Sequence, residues 1–414
     1  MRKLLVMIVC IPMIILLSGC TDRKEIEEQA FVVAVGVDKT DKPNIFRFTF
    51  QIANPEVGSS TISPSPNESP QELVSVLGAD FLSATNAANS SVAKEITLEQ
   101  VRVVIISSKL AKSNEFIHLM QTVPSTVELR LNAQLVVSKE KAADFLQQNK
   151  PKMETRPHKY YQYMLDRAKE TGIIPDAPLS RFYYITEGDA DLFIAPLATV
   201  KPEDKQEYKS EDKYTAGDIP LKGENKTQFM GSALFKEGKM IDELTGEETR
   251  ISVMLDPTLS QQDFIANYKD PLKPDYKIAA RFKAEEPKIT VDYRPNGKTT
   301  IYADINFRLD VYSIPSTVNY ISDDKKRELL RNNLERQLKQ MTEKFIEVTQ
   351  KKYKGEPFYW SLHIRRHFLT IQDYEKADWS KKIYPNAEIK MNFRLTSLEF
   401  GKVLRQSDLG RVKD

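Results

Sequence analysis

The sequence predicts an α+β protein of three mixed α/β domains, with antiparallel-rich sheets and packed helices, behind a lipoprotein signal peptide. Apolar strand-like runs come in neighbouring pairs separated by turn residues, and one long amphipathic helix lies in the last third of the chain. The N-terminus is basic, then apolar, and the apolar run ends at a cysteine. Charged residues make up 29% and hydrophobic residues 41% of the chain, which indicates a globular protein.

The leader has the form of a lipobox. Arg2 and Lys3 precede an apolar stretch, 4–17, that is shorter than the ~20 residues an ordinary membrane span needs. Small residues then lead to the cysteine in Leu17-Ser18-Gly19-Cys20. We therefore expect residues 1–19 to be a signal peptide and Cys20 to be the lipid attachment site. An ordinary secretory signal or a short anchor helix are the alternatives.

Cleavage before Cys20 would have two chemical consequences. It removes Cys10, so the mature chain has no thiol besides the acylated one and no disulfide, cysteine metal site or cysteine nucleophile. It also removes Arg2 and Lys3 from the 60 basic residues, which leaves as many basic residues as there are acidic ones, 58. A neutral exterior gives no electrostatic reason to expect nucleic acid as a partner.

Residues 20–200 form the predicted N-terminal α/β region, as one domain or as two that share strands with residues 227–285. Runs 31–38 and 45–52 indicate a β-hairpin, and Ser69-Pro70 indicates the start of a helix that reaches Asn89. Strands are then predicted at 102–107 and 130–138, and helices at 109–121, 139–148 and 157–170. The last helix carries Tyr160, Tyr161 and Tyr163, which at helical spacing favour a core or groove lining over a flat ligand platform.

A charged, thinly apolar linker at 201–226 separates this region from the middle region, 227–285. The middle region begins with a hairpin, 229–241, whose Glu237-Gly238 turn suits a positive φ at glycine. Thr245 or Thr249 can cap the helix that follows. The Pro- and Lys-rich stretch 270–287 is a second linker candidate.

The C-terminal α+β domain is predicted to span 286–414. Strands at 288–293 and 300–312 precede a helix over 323–352 with Ser322 as its cap. One face of this helix is apolar, which predicts that this face packs on the sheet of its own domain. The apolar residues are Leu330, Leu334, Leu338, Met341, Phe345 and Val348. Strands at 359–371 and 387–400 would complete that sheet.

No motif indicates catalysis, a cofactor or a metal. His363 and His367 lie four residues apart, but their segment reads as extended and lacks the glutamate of the metalloprotease helix. The sequence has no P-loop, dinucleotide glycine fingerprint or serine nucleophile elbow. A pair of carboxylates brought together by the fold is not excluded by the sequence, and no pair stands out.

Several segments, in order along the whole chain, resemble the GerC-type C-subunit lipoproteins of bacterial spore germinant receptors. The first are the residues after the lipobox, Asp22-Arg23-Lys24-Glu25-Ile26, where Thr21 replaces the usual Trp. The others run through both halves of the chain: Ala34-Val35-Gly36-Val37-Asp38, Gln51-Ile52-Ala53-Asn54-Pro55, Val101 to Lys112 with Arg130, Gly231-x-Ala233-x-Phe235-Lys236-x-x-Lys239, Glu247-Glu248-Thr249, Asp378-Trp379, Tyr384-Pro385 and Gly401.

The resemblance implies a non-enzymatic protein held by Cys20 on the outer face of the spore inner membrane or cell membrane. Its implied partners are the receptor A and B membrane subunits, and its implied role is assembly or signalling in germination triggered by small nutrients. The implied motif positions, structural or in contact with partners, are Gly36, Asp38, Arg130, Gly231, Phe235, Lys236 and Glu248. A solute-binding lipoprotein of a transporter is the main alternative, and a tethered envelope hydrolase is another. The identity of the nutrient, and whether this chain binds any small molecule, stay open.

Overall fold

The computed structural model describes residues 25–54, 69–188, 192–202, 208, 210, 212–260, 263–295 and 297–401. The predicted signal peptide and Cys20 lie outside these ranges. Within them the chain forms a nine-stranded and a five-stranded β-sheet with helices packed on both. The predicted α+β class is confirmed, and more of the described strand pairs are antiparallel than parallel. The division into three domains stays a prediction.

The larger sheet has parallel strands at its centre and antiparallel hairpins on both sides. Its order is β3-β2-β1-β5-β6-β7-β8-β9, with the short β4 paired to β1. Strands β1, β5, β6 and β7 run parallel. The strand bounds are β1 Gln29–Lys39, β2 Phe46–Ala53, β3 Gln71–Gly78, β4 Glu95–Thr97, β5 Val103–Ser107, β6 Gln134–Ser138, β7 Phe193–Thr199, β8 Gln228–Lys236 and β9 Lys239–Leu244.

Strand β1 is apolar from Ala30 to Val37 and lies in the interior of the sheet, between two neighbouring strands. Residues 32–37 are buried, as expected for a central strand in a parallel arrangement. It pairs with β2 on one side, in the register Val37↔Phe48, and with β5 on the other. The predicted hairpin over 31–52 is confirmed.

Helices cover the faces of this sheet. Their bounds are α1 Phe81–Ala88, α2 Ser108–Ala111, α3 Glu115–Met120, α4 Ala142–Gln148, α5 Pro157–Glu170, α6 Leu179–Thr186 and α7 Gly246–Leu255. Helix α5 has the predicted bounds, while the helix predicted over 109–121 is divided into α2 and α3. The strand predicted from Arg130 begins only at Gln134. Thr245 is the cap of α7, as one of the two alternatives predicted.

The helix predicted from Ser69 to Asn89 is wrong over its first half. Residues 71–78 form β3, an edge strand that pairs with β2 along its whole length, and the helix begins only at Phe81 behind the Asp80 cap. Val74 and Val76 pack on one face of β3 and Leu73 on the other, and such branched apolar residues suit a strand. Ser69-Pro70 is also an acceptable entry into an extended edge strand, so the local signal did not distinguish the two outcomes.

The smaller sheet has the order β10-β11-β13-β12, with β14 parallel to β13. Its strands are β10 Asp263–Lys269, β11 Lys277–Ala284, β12 Lys288–Asp292, β13 Thr300–Ser313 and β14 Glu388–Glu399. The linker predicted at 270–287 is wrong because β11 lies within it. Its lysines and arginine alternate with buried Ile278, Ala280 and Phe282, the pattern of a strand with one exposed face.

Helix α8, Asp324–Val348, packs along this sheet as predicted. Leu330, Leu334 and Leu338 are buried at spacings of four residues, and Phe345 continues the same face. The N-cap is Asp323, whose carboxylate accepts the Lys326 N–H at 3.1 Å, rather than Ser322. A π-helical turn, Thr349–Tyr353, extends the helix to a left-handed Lys354.

The strand predicted over 359–371 is wrong. This segment contains α9, Ser361–Arg365, and the start of α10, Ile371–Ala377, so His363 and His367 do not lie on a strand. Buried Trp360 and Ile364 hold the short α9 against the core, and Thr370 caps α10. Four- to seven-residue apolar runs do not distinguish strand from buried helix by periodicity, which explains the error.

Asp270 fastens the β10–β11 loop to the segment before α8. This buried carboxylate accepts the N–H groups of Leu272 at 2.8 Å and Lys273 at 3.1 Å and the hydroxyls of Ser316 and Tyr320. Burial alone raises the pKa of the carboxyl, but the four hydrogen bonds outweigh it and hold that pKa below its ordinary value.

Asp270→Asn is expected to lower the free energy of unfolding by about 1–3 kcal/mol at neutral pH, because an amide cannot accept all four hydrogen bonds. A depressed folded-state pKa gives stability that is present above the unfolded pKa, about 3.9, and is lost as the pH falls through the folded value. The difference from the wild type should therefore shrink below about pH 4. Urea unfolding against pH measures this. Asp275→Asn, at an exposed position of the same loop, is the control. A deficit that persists undiminished at low pH would contradict the assignment.

Candidate functional site: the hairpin junction

Four of the predicted motif positions, Gly231, Phe235, Lys236 and Glu248, come together where the two sheets meet. We call this place the hairpin junction and define it as the β8–β9 hairpin, helix α7 and residues 352–360. The two sheets share a hydrophobic core at this place: Leu234 and Leu244 of the larger sheet belong to the same apolar cluster as residues of the smaller sheet and α8.

Gly231 has a backbone conformation that only glycine adopts without strain. Its φ is +73°, and a Cβ at this position would lie 2.2 Å from the carbonyl oxygen of Leu244 on the neighbouring strand. Its N–H donates to the Ile173 carbonyl at 2.8 Å. The glycine therefore lets β8 pass close to β9 and to the loop after α5.

Strand β8 contacts two cores, one on each face. Phe235 belongs to the core of the larger sheet, where its ring lies 5.5 Å from Phe116 and 5.8 Å from Phe193. The preceding residue, Leu234, points into the core of the smaller sheet. The motif thus specifies the strand that joins the two halves of the fold.

Lys236 connects the hairpin to the end of the long helix. Its Nζ donates to the carbonyl oxygens of Tyr353 at 2.8 Å and Lys354 at 3.2 Å. These carbonyls end the helical segment, where a cation is favoured by the helix dipole and by unpaired acceptors. Burial lowers the pKa of Lys236; Glu237 opposes this, and Lys381 and Lys354 add to it.

A second connection between the same two elements was missed by the sequence analysis. Asp242 on β9 accepts the Tyr353 hydroxyl at 2.9 Å and forms an ion pair with Lys352. Lys236 and Asp242 therefore hold the end of the helical segment from both strands of the hairpin.

Glu248 stabilises the start of α7 through a capping box with Thr245. The Glu248 carboxylate accepts the Thr245 N–H at 2.9 Å, and the Thr245 hydroxyl accepts the Glu248 N–H at 3.3 Å. Two residues on, Arg250 is paired with Asp212 at 2.6 Å and donates through Nε to the Thr171 carbonyl at 3.0 Å. Its guanidinium lies 4.9 Å from the Phe264 ring, so α7 also contacts the first strand of the smaller sheet.

Buried charges complete the junction, and they were not predicted because charged residues ordinarily lie at the surface. Glu356 is fully buried, and its carboxylate accepts the N–H groups of Phe358 and Trp360. The Trp360 indole donates to the Leu255 carbonyl at the end of α7, at 2.9 Å. Asp256, also fully buried, forms an ion pair with Arg181 of α6.

A cavity of about 180 Å³ opens at the junction beside Lys236. Lys354 and Lys381 line it together with the carboxylates of Glu237, Glu375 and Asp378, so positive and negative groups balance. Among the described residues, no group of three or more His, Cys, Asp and Glu side chains is placed to hold a metal ion. The polar groups of the junction form ion pairs and hydrogen bonds that connect the two sheets.

The three other motif positions lie away from the junction. Gly36 allows α4 to pack on β1, since a Cβ there would lie 2.9 Å from the Leu146 side chain. Asp38 is buried and accepts the N–H groups of Ala142 at 2.7 Å and Ala143 at 3.0 Å, so it stabilises the N-terminus of α4. Arg130 is exposed and forms no ion pair with a described residue.

The tyrosines of α5 do not form a flat platform. Tyr160 and Tyr161 are buried with rings tilted by 69°, whereas Tyr163 is exposed. In the described part of the chain, no helix combines the length and the apolar character that crossing a bilayer requires.

Comparison with known proteins assigns this two-sheet α+β chain to a class. A family model described as "Spore germination protein N-terminal domain" matches residues 22–200, and one described as "Spore germination B3/ GerAC like, C-terminal" matches residues 230–401. The chain therefore belongs to the GerC-type family of spore germination proteins, the germinant receptor C-subunit family, and the family resemblance seen in the sequence is confirmed.

Individual relatives come from Bacillus subtilis (strain 168). The chain is 23% identical to putative spore germination protein YfkR over 397 residues, which is 94% of each chain. It is 23% identical to spore germination protein B3 over 401 residues, 94% of this chain and 96% of B3. The match to spore germination protein KC, at 26% identity over 145 residues, covers 34% of this chain and about a third of that protein, 35%. The crystal structure of the GerBC protein matches 88% of this chain and 96% of its own, with a TM-score of 0.48 and 15% identity.

Lys236→Met is expected to loosen the end of the helical segment, because the carbonyls of Tyr353 and Lys354 lose their donor. Hydrogen exchange of peptides covering 349–356 should become faster, with a loss of about 1 kcal/mol or less in global stability because Lys236 is partly exposed. Mass spectrometry of the full-length protein in detergent measures both the exchange rate of these peptides and the global unfolding. Lys222→Met, at an exposed position before β8, should leave the exchange unchanged. Wild-type exchange at 349–356 in Lys236→Met would show that the connection does not hold the helix.

Proposed function

We propose that this protein is a non-enzymatic, lipid-anchored subunit of a nutrient germinant receptor, needed for assembly or signalling of that receptor in the spore inner membrane. The family models over 22–200 and 230–401 carry the proposal. Its partners are the receptor A and B membrane subunits, and the bilayer reached through acylated Cys20.

Lipid anchoring is the route by which this chain reaches the membrane. The lipobox supports it, as do the basic residues ahead of the apolar leader. More than one acyl chain on a cysteine is needed for durable anchoring, since a single chain gives only marginal, reversible binding. The folded chain then stands on the outer face of the membrane.

A role in assembly fits the junction better than a role in chemistry. Lys236, Asp242, Arg250 and Glu356 are all engaged with charged, hydroxyl or backbone groups, and together they connect two sheets. The solute-binding alternative requires two similar lobes, whereas the two described sheets differ in strand number and order. The hydrolase alternative requires a cleft with a distinct acid/base pair, and no observation favours one.

Affinity purification from crosslinked spore membranes tests the receptor proposal. We expect the tagged full-length protein to bring down two polytopic membrane proteins at comparable abundance, identified by mass spectrometry. An untagged strain is the control for non-specific capture. Recovery of transporter permease and ATPase subunits instead would overturn the proposal in favour of a solute-binding lipoprotein.

Cys20→Ala is expected to move the protein out of the membrane fraction and to abolish germination through its receptor, because the acyl acceptor is lost. Cys10→Ala is the matched control: it removes the other cysteine of the chain, lies inside the leader and leaves the lipobox intact. Detergent phase partitioning and nutrient-triggered germination measure the two effects. Unchanged partitioning and germination of the Cys20→Ala protein would rule out anchoring at this residue.

A further inference from the structure

The loop between helices α9 and α10 exposes two large apolar side chains. Leu369 is 101% exposed and Ile371 is 72% exposed. All seven residues of α10, which begins at Ile371, are exposed or partly exposed. Single apolar side chains at a protein surface are ordinary, but two that lie two positions apart on one loop indicate an interaction site. We call residues 366–371 the apolar loop.

The backbone of the apolar loop is fixed to the fold on both sides of Leu369. The centre of the Phe368 ring lies 5.0 Å from that of Tyr293 and 5.8 Å from that of Tyr374. The Thr370 side chain caps the start of α10 by accepting a backbone N–H. Leu369 lies between these two fixed residues, so its exposure is built into the fold. Keeping this leucine in water is unfavourable, and an apolar partner would relieve it.

The apolar loop belongs to the end of the larger sheet at which the parallel strands begin. Strands β1, β5, β6 and β7 run parallel in adjacent positions, so their first residues lie along one edge. Just before the loop, Arg365 donates to the carbonyl of Gly188, five residues ahead of β7, at 3.2 Å. Just after it, Glu375 lines the junction cavity together with Lys236, the last residue of β8, which pairs antiparallel with β7. Both flanks of the loop therefore contact this edge.

The chain also reaches this edge from the proposed lipid anchor. Gln29, the first residue of β1, lies nine positions after Cys20. Strands β1 and β7 are three strand spacings apart, which is about 15 Å. The opposite end of β1 lies about 36 Å away, since the strand has 11 residues and rises about 3.3 Å per residue. Anchoring at Cys20 therefore favours an orientation in which the edge that carries the apolar loop is nearest the bilayer.

The charge of the apolar loop suits a lipid surface. Arg366 and His367 precede the apolar pair, and the sequence has no acidic residue from 365 to 372. Arg366 is exposed and forms no ion pair with a described residue, while the next acidic residue, Asp373, accepts the Thr370 hydroxyl at 2.7 Å. Phosphate groups accept charge-assisted hydrogen bonds from a guanidinium, and aliphatic side chains gain by entering the boundary between headgroups and acyl chains. A bilayer with anionic lipids offers both contacts side by side.

We propose that the apolar loop is a second membrane contact of this protein, in which Leu369 and Ile371 enter the headgroup region of a bilayer and Arg366 pairs with the phosphate of an anionic lipid. The inference rests on the proposed anchoring at Cys20, which brings this end of the fold to the membrane. Two separate attachment points limit the rotation of the folded part about its tether and set which side of it faces the bilayer.

A fluorescent label at residue 372 tests the contact in vesicles made from equal parts of phosphatidylcholine and phosphatidylglycerol. In the proposed mature chain Cys10 is removed and Cys20 is acylated, so Gln372→Cys supplies the one free thiol. Gln372 is exposed beside Ile371, and its replacement leaves both apolar side chains in place. We expect the emission of an NBD label on the reconstituted protein to shift to the blue and to be quenched by brominated lipid. Asp41→Cys, exposed in the β1–β2 turn at the opposite end, should give the emission of a label in water.

Serine variants of the Gln372→Cys protein give the matched comparison. Leu369→Ser together with Ile371→Ser should abolish the blue shift and the quenching, because the groups that enter the bilayer are gone. Leu82→Ser, at a 70% exposed residue of α1, should change neither. The two sets of variants remove the same kind of side chain from different parts of the surface.

Flotation of the vesicles separates this inference from the proposed anchoring. Protein that does not float with the vesicles would rule out anchoring at Cys20 and this inference with it. Protein that floats while the label at residue 372 stays in water would rule out the membrane contact alone, in favour of a protein partner for the apolar loop. A blue shift that survives Leu369→Ser with Ile371→Ser would also contradict the proposed contact.

Discussion

One strand constrains the whole molecule, because β8 is shared by two hydrophobic cores. Phe235 packs among the aromatic rings of the larger sheet, while Leu234 packs with the smaller sheet and α8. Side chains alternate between faces with a period of two, so a shift of one residue would exchange the two sets and disrupt both cores at once. Gly231 permits the close approach to β9 that fixes this register, and Lys236 then reaches the end of the long helix.

The fold was predictable from the sequence wherever a pattern was long and local. The hairpin over β1 and β2 and the helices α5 and α8 follow from runs that span eight or more residues. The errors fall on β3, β11 and the segment 359–371, where the runs are short or rich in charge. Whether such a run becomes a strand or a helix is decided by the neighbour it meets, β2 for β3 and the core around Trp360 for α9. The local sequence does not identify that neighbour, so it does not determine whether the run forms a strand or a helix.

The same distinction separates the predictable from the unpredictable parts of the junction. The need for glycine at a tight turn and the capping of α7 by Thr245 are local properties. Lys236 and Asp242, however, contact Tyr353 across 117 and 111 residues, and a single sequence carries no information on which distant carbonyl a lysine reaches. The burial of Asp256 and Glu356 was missed for a related reason: an acidic residue is predicted to lie at the surface unless its partner is known. Asp38, predicted as a structural or partner-contact position, accepts two N–H groups at the start of α4, a contact between residues more than 100 positions apart.

The length of the chain between Cys20 and β1 limits how far the fold can lie from a bilayer. Gln29 is nine positions after Cys20, and a chain extends by at most about 3.3–3.6 Å per residue, so the start of β1 lies within about 30 Å of Cys20. In the proposed anchored state, this short tether would hold the folded part at an effective concentration in the millimolar range toward a partner in the same membrane. Docking faces for the proposed membrane subunits would then need only weak intrinsic affinity. In that proposal, anchoring at Cys20 supplies proximity, and the contacts of the hairpin junction hold both sheets in one relative orientation for a partner.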